Sequence, residues 1–259
     1  MRLQDKVAII TGAGQGIGLA YARRFLEEGA KVIIAEINEE QGKAAADTLA
    51  PLGDVRFIRT DIASEDSSAE CVRQTVEAFE TVDILVNNAS IYGDIDNRNN
   101  DPEYLKFVFD VNLHGAWMMS RAVAPIMAAK RWGRIINQSS GAAYTYFLPP
   151  SEKTDFTELS AFTYSQTKWG IIGQTKFLAA QMGKHNVTVN CIAPGVTMTE
   201  ATKKVVPEKF LPFVSLLTPM GRTLEPEDLT GAAVFFASDD ANLITGQILC
   251  VDGGANMPA

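Results

Sequence analysis

The feature that most constrains this chain is a regular alternation of short Val/Ile-rich runs with longer stretches of helical spacing. The runs are Val7–Thr11, Lys31–Glu36, Val55–Thr60, Ile84–Val86, Arg134–Gln138, Thr188–Ala193 and Gln247–Val251. Most are continuously apolar rather than alternating, the pattern of strands covered on both faces. Between them, Ile17–Glu28, Glu39–Leu49, Ser64–Phe79, Asp101–Ala129, Ser165–Lys184 and Pro226–Ala237 carry helical periodicity. Strand–helix alternation of this kind builds a parallel sheet with right-handed crossovers. No repeat, low-complexity tract or Pro/Gly/Ser linker divides the 259 residues. The expectation is one α/β domain over residues 1–259: a doubly wound parallel sheet with helices on both faces. Two stretches break the rhythm, 141–163 and 196–222, and long loops in a compact domain are usually functional; with 90–100 they are taken as substrate loops.

Composition excludes several function classes. A net charge of -8 and a pI near 4.9 oppose binding to nucleic acid or to an anionic membrane, since both demand clustered Lys and Arg. No stretch reaches the ~20 apolar residues of a membrane span. The N-terminal Met1–Lys6 lacks an apolar signal segment. Cys71, Cys191 and Cys250 are few, scattered and set among apolar neighbours, so they read as core packing in a reducing compartment. These observations together point to the cytoplasm. His114 and His185 are solitary and read as structural. Asp94, Asp96 and Asp101 read as a solvated rim, so no metal site is expected.

The first strand runs into Thr11-Gly12-Ala13-Gly14-Gln15-Gly16-Ile17-Gly18 and then into a helix. Glycines there allow a tight turn and let backbone amides approach a pyrophosphate, which meets the positive end of the following helix. The second strand closes on Glu36, eighteen positions beyond Gly18. A carboxylate so placed accepts hydrogen bonds from the adenosine ribose hydroxyls and repels a 2′-phosphate. No basic residue replaces it, with Gln15 in the loop and Ile37 next in sequence. NAD is therefore expected over NADP.

Further along come Val86-Asn-Asn-Ala89, Asn112, Ser140, Tyr164-x-x-x-Lys168 and Pro194-Gly195. In this order and spacing the chain resembles the short-chain dehydrogenase/reductase family in its compact branch, from Lys6 to Val251-Asp-Gly-Gly254. The resemblance implies a Rossmann-type fold and a hydride exchanged between nicotinamide and a secondary alcohol or its ketone. It implies Tyr164 as acid/base, Lys168 as its charge partner and holder of the nicotinamide ribose, and Ser140 as the hydrogen-bond donor to the substrate oxygen, with Ser139 the rival. Asn112 matches a position holding a water that links the lysine to solvent, or satisfies a local helix distortion. The cofactor contacts implied are Gly12, Gln15, Gly16, Ile17, Gly18, Glu36, Asp61, Ile62, Asn88, Ala89, Tyr164, Lys168, Pro194, Gly195, Thr197 and Thr199. A phenol titrates near ~10 unaided. An ammonium one helical turn away on the same face, together with the positive nicotinamide ring, is expected to lower it.

Two departures stand out. Ser90 occupies a position where the family usually carries glycine. The gap from Ser140 to Tyr164 is nearly twice the usual one. Tyr144, Tyr146 and Phe147 are expected to wall the substrate site, with 198–215 as a lid, against the alternative of an exposed insertion or oligomer contact. Shortening 145–158 should then raise KM. A 3-oxoacyl-thioester (carrier protein) reductase is the alternative enzyme, although the chain is acidic, keeping Arg131 and placing His185 where such reductases often carry another arginine. An NAD-binding sensor or scaffold is the non-enzymatic alternative. The resemblance also implies a homotetramer, with Asp101–Ala129 and Ser165–Lys184 packing across one two-fold axis and the C-terminal strand region across another.

Overall fold

The computed structural model describes residues 1–92, 101–145, 163–206 and 208–258. Seven parallel strands form a single sheet: β1 (Val7–Thr11), β2 (Lys31–Glu36), β3 (Val55–Arg59), β4 (Ile84–Asn87), β5 (Gly133–Gln138), β6 (Val187–Pro194) and β7 (Ile248–Val251). Their spatial order is β3-β2-β1-β4-β5-β6-β7. The chain therefore reverses its direction of winding between β1 and β4, and a crevice opens beyond the carboxyl ends of those two strands. This is the doubly wound Rossmann-type sheet that the alternation predicts.

Helices cover both faces: α1 (Gly16–Glu27), α2 (Glu39–Leu49), α3 (Glu65–Phe79), α4 (Pro102–Phe109), α5 (Gly115–Lys130), α6 (Thr163–Met182), α7 (Glu200–Val205), α8 (Leu211–Leu217) and α9 (Thr230–Ala237). On one side Tyr21, Phe25, Leu49, Leu229 and Phe236 pack on Ile10, Ile34 and Val86. On the other, Cys71, Val72, Met119, Val123 and Leu178 pack on Ile9, Ile33, Leu85 and Val189. Residues of β1, β4, β5 and β6 are buried throughout, whereas the edge strands β3 and β7 are partly exposed. Continuous apolar runs thus mark the central strands, each large aliphatic side chain contributing about 1.5–3 kcal/mol on burial. Cys71 and Cys191 are fully buried as expected, while Cys250, on the edge strand, is only half-buried.

Two expectations need correction. The stretch Asp101–Ala129 is not one helix: α4 and α5 are joined by a π turn at Asp110–His114. The region 196–222 is not simply a loop, because it contains α7 and α8. Asp101, read as rim, caps α4 by accepting from the Glu103 and Tyr104 amides. Asp94, Asp96, Tyr146 and Phe147 lie outside the described residues.

Candidate active site

The glycine turn joins β1 to α1 at the crevice. Gly12 has φ +63°, and a Cβ there would lie 2.8 Å from the Ala89 Cα. At Gly18 a Cβ would lie 2.3 Å from the Gly12 carbonyl oxygen and 2.7 Å from the Asn88 Nδ2. Only glycine lets turn, helix and β4 close together in this way. The helices α2, α3, α4 and α7 begin on capping side chains, Asn38, Ser64, Asp101 and Thr199. By contrast, Gln15 before α1 gives no side-chain cap and no acid stands in its first turn. The leading amides of α1 are therefore left to a ligand, and the donor set suits an anion such as pyrophosphate.

Glu36, half-buried at the end of β2, folds its carboxylate back over the turn. Oε2 accepts from the Gly14 amide at 3.2 Å, and Oε1 accepts from the Ile37 and Asn38 amides at 3.0 and 3.1 Å. Held this way, its remaining lone pairs suit ribose hydroxyls, so the residues fit the adenosine end of a nicotinamide dinucleotide. Arg59, exposed at the end of β3, stands in register with Glu36 across the β2–β3 pair, a cation the sequence reading passed over.

Other residues expected to touch the cofactor have structural duties as well. Asn88 Nδ2 donates to the Thr11 and Gly12 carbonyls at 2.9 and 3.1 Å, fastening the glycine turn to β4. Thr11 Oγ1 accepts from the Asn88 and Ala89 amides at 3.0 and 3.1 Å, a role the sequence reading did not assign. Asp61 accepts from the Ala63 amide at 3.0 Å, and Ile62 packs beneath Gly115. Pro194 ends β6. Thr197 is buried with its hydroxyl on the Gly195 carbonyl at 3.1 Å, and the Thr199 Cγ2 lies 3.3 Å from where a Gly16 Cβ would be. The 194–199 segment therefore roofs the glycine turn. Ser90 is exposed.

The side chains expected to react converge at the end of β5. Ser140 follows the strand and hydrogen-bonds the Tyr164 hydroxyl. The adjacent Ser139 is instead buried, its hydroxyl donating to the Lys168 carbonyl at 2.7 Å. Tyr164 and Lys168 stand one turn apart on α6. Lys168 is 2% exposed, its Nζ donates to the Gln138 carbonyl at 3.0 Å, and it lies over the Tyr164 ring, 5.4 Å from the centroid. Burial raises the Tyr164 pKa well above the phenol range, and the Ser140 hydrogen bond opposes it only partly. Burial also pushes Lys168 down to about 8.

Asn112 sits at the centre of the π turn. Its amide pairs with the backbone of Ile91, accepting at 2.7 Å and donating at 3.0 Å, and it approaches the Thr167 hydroxyl at 3.4 Å. It thus joins the loop after β4 to α6. Two aromatic contacts flank the cluster. Tyr92 meets the Tyr164 ring, with centroids 4.8 Å apart, whereas Tyr144 lies edge-on against Trp169 at 5.6 Å. Behind the site the fully buried Tyr21 donates to the Gln138 side chain at 2.8 Å. His114 pairs with Asp110 on the surface.

A parallel sheet with this switch point, a glycine turn at an uncapped helix and a Ser-Tyr-Lys cluster define a nucleotide-dependent oxidoreductase. Residues 12–256 match the family model described as enoyl-(acyl carrier protein) reductase. An uncharacterized oxidoreductase of Mycobacterium tuberculosis is 41% identical over 254 residues, covering 96% of this chain and 97% of its own. Galactitol 2-dehydrogenase of Agrobacterium fabrum is 38% identical over 266 residues, covering 98% of each chain. The solved structure of a 3-oxoacyl-(acyl-carrier protein) reductase with bound NAD from Brucella melitensis superimposes with a TM-score of 0.86 at 32% identity, over 99% of this chain and 95% of that one. The chain belongs to the short-chain dehydrogenase/reductase family.

Proposed function

We propose that this protein interconverts a secondary alcohol and its ketone with NAD as the hydride carrier. The observation that carries the reading is the meeting of Ser140, Tyr164 and Lys168 at the end of β5, across the switch-point crevice from the glycine turn and Glu36. Gly12, Gln15, Gly16, Ile17 and Gly18 would cradle the pyrophosphate, Glu36 the adenosine ribose, Asp61 and Ile62 the adenine, and Asn88 and Ala89 the turn beside them. Pro194, Gly195, Thr197 and Thr199 would line the nicotinamide end. Bound NAD would accept or deliver the hydride.

The protein's own groups handle the proton. Ser140 donates a hydrogen bond to the substrate oxygen as charge gathers there. Tyr164 removes the hydroxyl proton in oxidation and returns it in reduction. A phenol raised by burial is fully protonated at neutral pH, the form that serves a ketone. Oxidation needs added positive charge at its edge, which Lys168 supplies in part and oxidised nicotinamide would complete. Asn112, tied to Ile91 and Thr167, keeps α6 in register with the loop after β4. Loops 90–100, 141–163 and 196–222 would shape the substrate pocket, with Tyr92 at its inner wall and α7–α8 as its cover.

The test is Tyr164→Phe. NAD binding should stay near that of the unaltered protein while turnover falls by orders of magnitude; equal turnover would defeat the catalytic assignment and favour an NAD-binding scaffold. A screen of NADH release over secondary alcohols, diols and hydroxysteroids, set beside acetoacetyl thioester reduction, separates alcohol oxidation from acyl-thioester chemistry. We place the protein in the cytoplasm as a homotetramer. The exposed Phe107, Trp117, Trp169 and Phe177 on α4, α5 and α6 support the association.

A further inference from the structure

Ser140 leaves the sheet and begins a short turn, Gly141–Ala143, whose bonds are almost all local. Ser140 Oγ accepts from the Ala142 amide at 3.1 Å, and the Ala143, Tyr144 and Thr145 amides reach back to Ser140 and Gly141 at 3.0, 2.9 and 3.1 Å. A turn hydrogen-bonded mostly to itself opens easily unless packing holds it. A catalytic hydroxyl, however, must stay within about half an ångström of its working position. Tyr144 rests against Trp169 of α6 on one side, and the polar restraint on the other comes from the far end of the chain. Asn256 Oδ1 accepts from the Thr145 hydroxyl, and its Nδ2 lies 2.9 Å from where a Cβ on Gly141 would stand.

Asn256 is in turn firmly seated. Its backbone amide and its Nδ2 both donate to Asp252 Oδ2 at 2.8 Å, while Asp252 Oδ1 accepts from the Gly254 amide at 3.0 Å. Asp252 is 3% exposed and packs on Gly195, where a Cβ would lie 2.9 Å from its own. The same C-terminal turn carries the end of α8: the Met220 amide donates to the Gly253 carbonyl at 3.1 Å, and Pro219 packs on Gly254. One turn therefore touches the serine loop, the end of β6 and the exit from α8.

We propose that Asn256 is a positioning residue for Ser140, acting through Thr145 and Gly141 from its seat on Asp252. The proposal rests on the catalytic reading of Ser140 and Tyr164 given above. Ser140 lowers the Tyr164 phenol through its hydrogen bond, so a loosened serine has two consequences. Turnover drops, and the pH at which the phenol becomes a base climbs.

The experiment compares Asn256→Ala, Thr145→Val and Thr145→Ser in the intact protein, using the best alcohol found in the screen. Thermal melting and NAD titration serve as checks of fold. Asn256→Ala and Thr145→Val should each lower kcat roughly ten- to a hundred-fold, with NAD affinity kept. They should also move the rising limb of kcat/KM for oxidation to higher pH by roughly one unit. Thr145→Ser, which keeps the hydroxyl, should restore both. In a Ser140→Ala background, Asn256→Ala should add no further shift. An unmoved limb overturns the proposal, whether turnover is unchanged or falls only in step with melting temperature. If instead Tyr164→Phe retains full turnover, the catalytic reading itself has failed, and the two failures are thereby told apart.

Discussion

Lys168 holds an ammonium where water cannot reach it, and that placement has a measurable cost in stability. The side chain is 2% exposed, and burial brings its pKa from 10.5 to about 8. At 1.36 kcal/mol for each pH unit, this corresponds to about 3 kcal/mol of destabilisation of the charged native state. Lys168→Met removes that cost and loses the charged hydrogen bond to the Gln138 carbonyl, worth about 1.5 kcal/mol. At pH 7 the inactive variant should be the more stable by about 1–2 kcal/mol, or roughly 2–6 °C in Tm. The sign with pH follows from proton counting. Below about pH 8 both folded and unfolded wild-type chains carry the proton, so the cost is fully present. From there up to about pH 10.5 the native state has lost a proton that the unfolded chain keeps, so wild-type stability rises with pH relative to the variant. Urea unfolding without nucleotide, at fixed protein concentration from pH 7 to 10.5, should show the variant's advantage vanish and then reverse, a relative change of about 3 kcal/mol in all. The raised Tyr164 phenol is common to both proteins and cancels. Parallel stability curves, or a variant weaker than wild type at pH 7 whose deficit does not grow with pH, would refute the reasoning.

Gly18→Ala should break the fastening of the glycine turn, since its Cβ falls on the Gly12 carbonyl and on Asn88. Overpacking of about 1–3 kcal/mol and a hundred-fold or greater loss of NAD affinity are expected, read by melting and by titration. Glu36→Ala should narrow the ratio of kcat/KM between NAD and NADP, with Arg59 free to meet a 2′-phosphate. Adding Arg59→Ala should then reduce NADP use, and a wild-type ratio in Glu36→Ala would count against the carboxylate's role. Trp117→Glu, placing a charge on the exposed face of α5, should lower the oligomeric mass seen by light scattering; an unchanged mass would move the interface elsewhere.

The fold was legible because its signals are local. Val7–Thr11 and Lys31–Glu36 match β1 and β2 to the residue, since strands buried on both faces leave unbroken apolar runs. The site was legible where chemistry repeats with short spacing: glycines around a turn, an acid closing a strand, a phenol and an amine four apart. The spacing places Tyr164 and Lys168 on one face of α6 but says nothing of their depth, and depth governs their protonation. Pairings distant in sequence leave no periodic trace, so Tyr92 on Tyr164, Tyr21 on Gln138 and Thr145 on Asn256 were not foreseen. The stretch 196–222 reads as a loop in the sequence, yet Thr199 caps α7 within it. The break inside Asp101–Ala129 involves neither Pro nor Gly at its centre; its trace is Asn112, a polar side chain 2% exposed.

That break makes residues 102–130 a crank rather than a rod. A π turn accommodates an extra residue, so the winding after it is displaced by about 100° from the winding before it. The first arm, α4, accordingly leans on α6, and the second, α5, on α3 and the sheet. Removing any single residue from 110–114 would let the two arms join in continuous winding and would swing one set of side chains away from its neighbours. Asn112 would then let go of Ile91. The length of this segment is thus set to the residue by the contacts of its two arms.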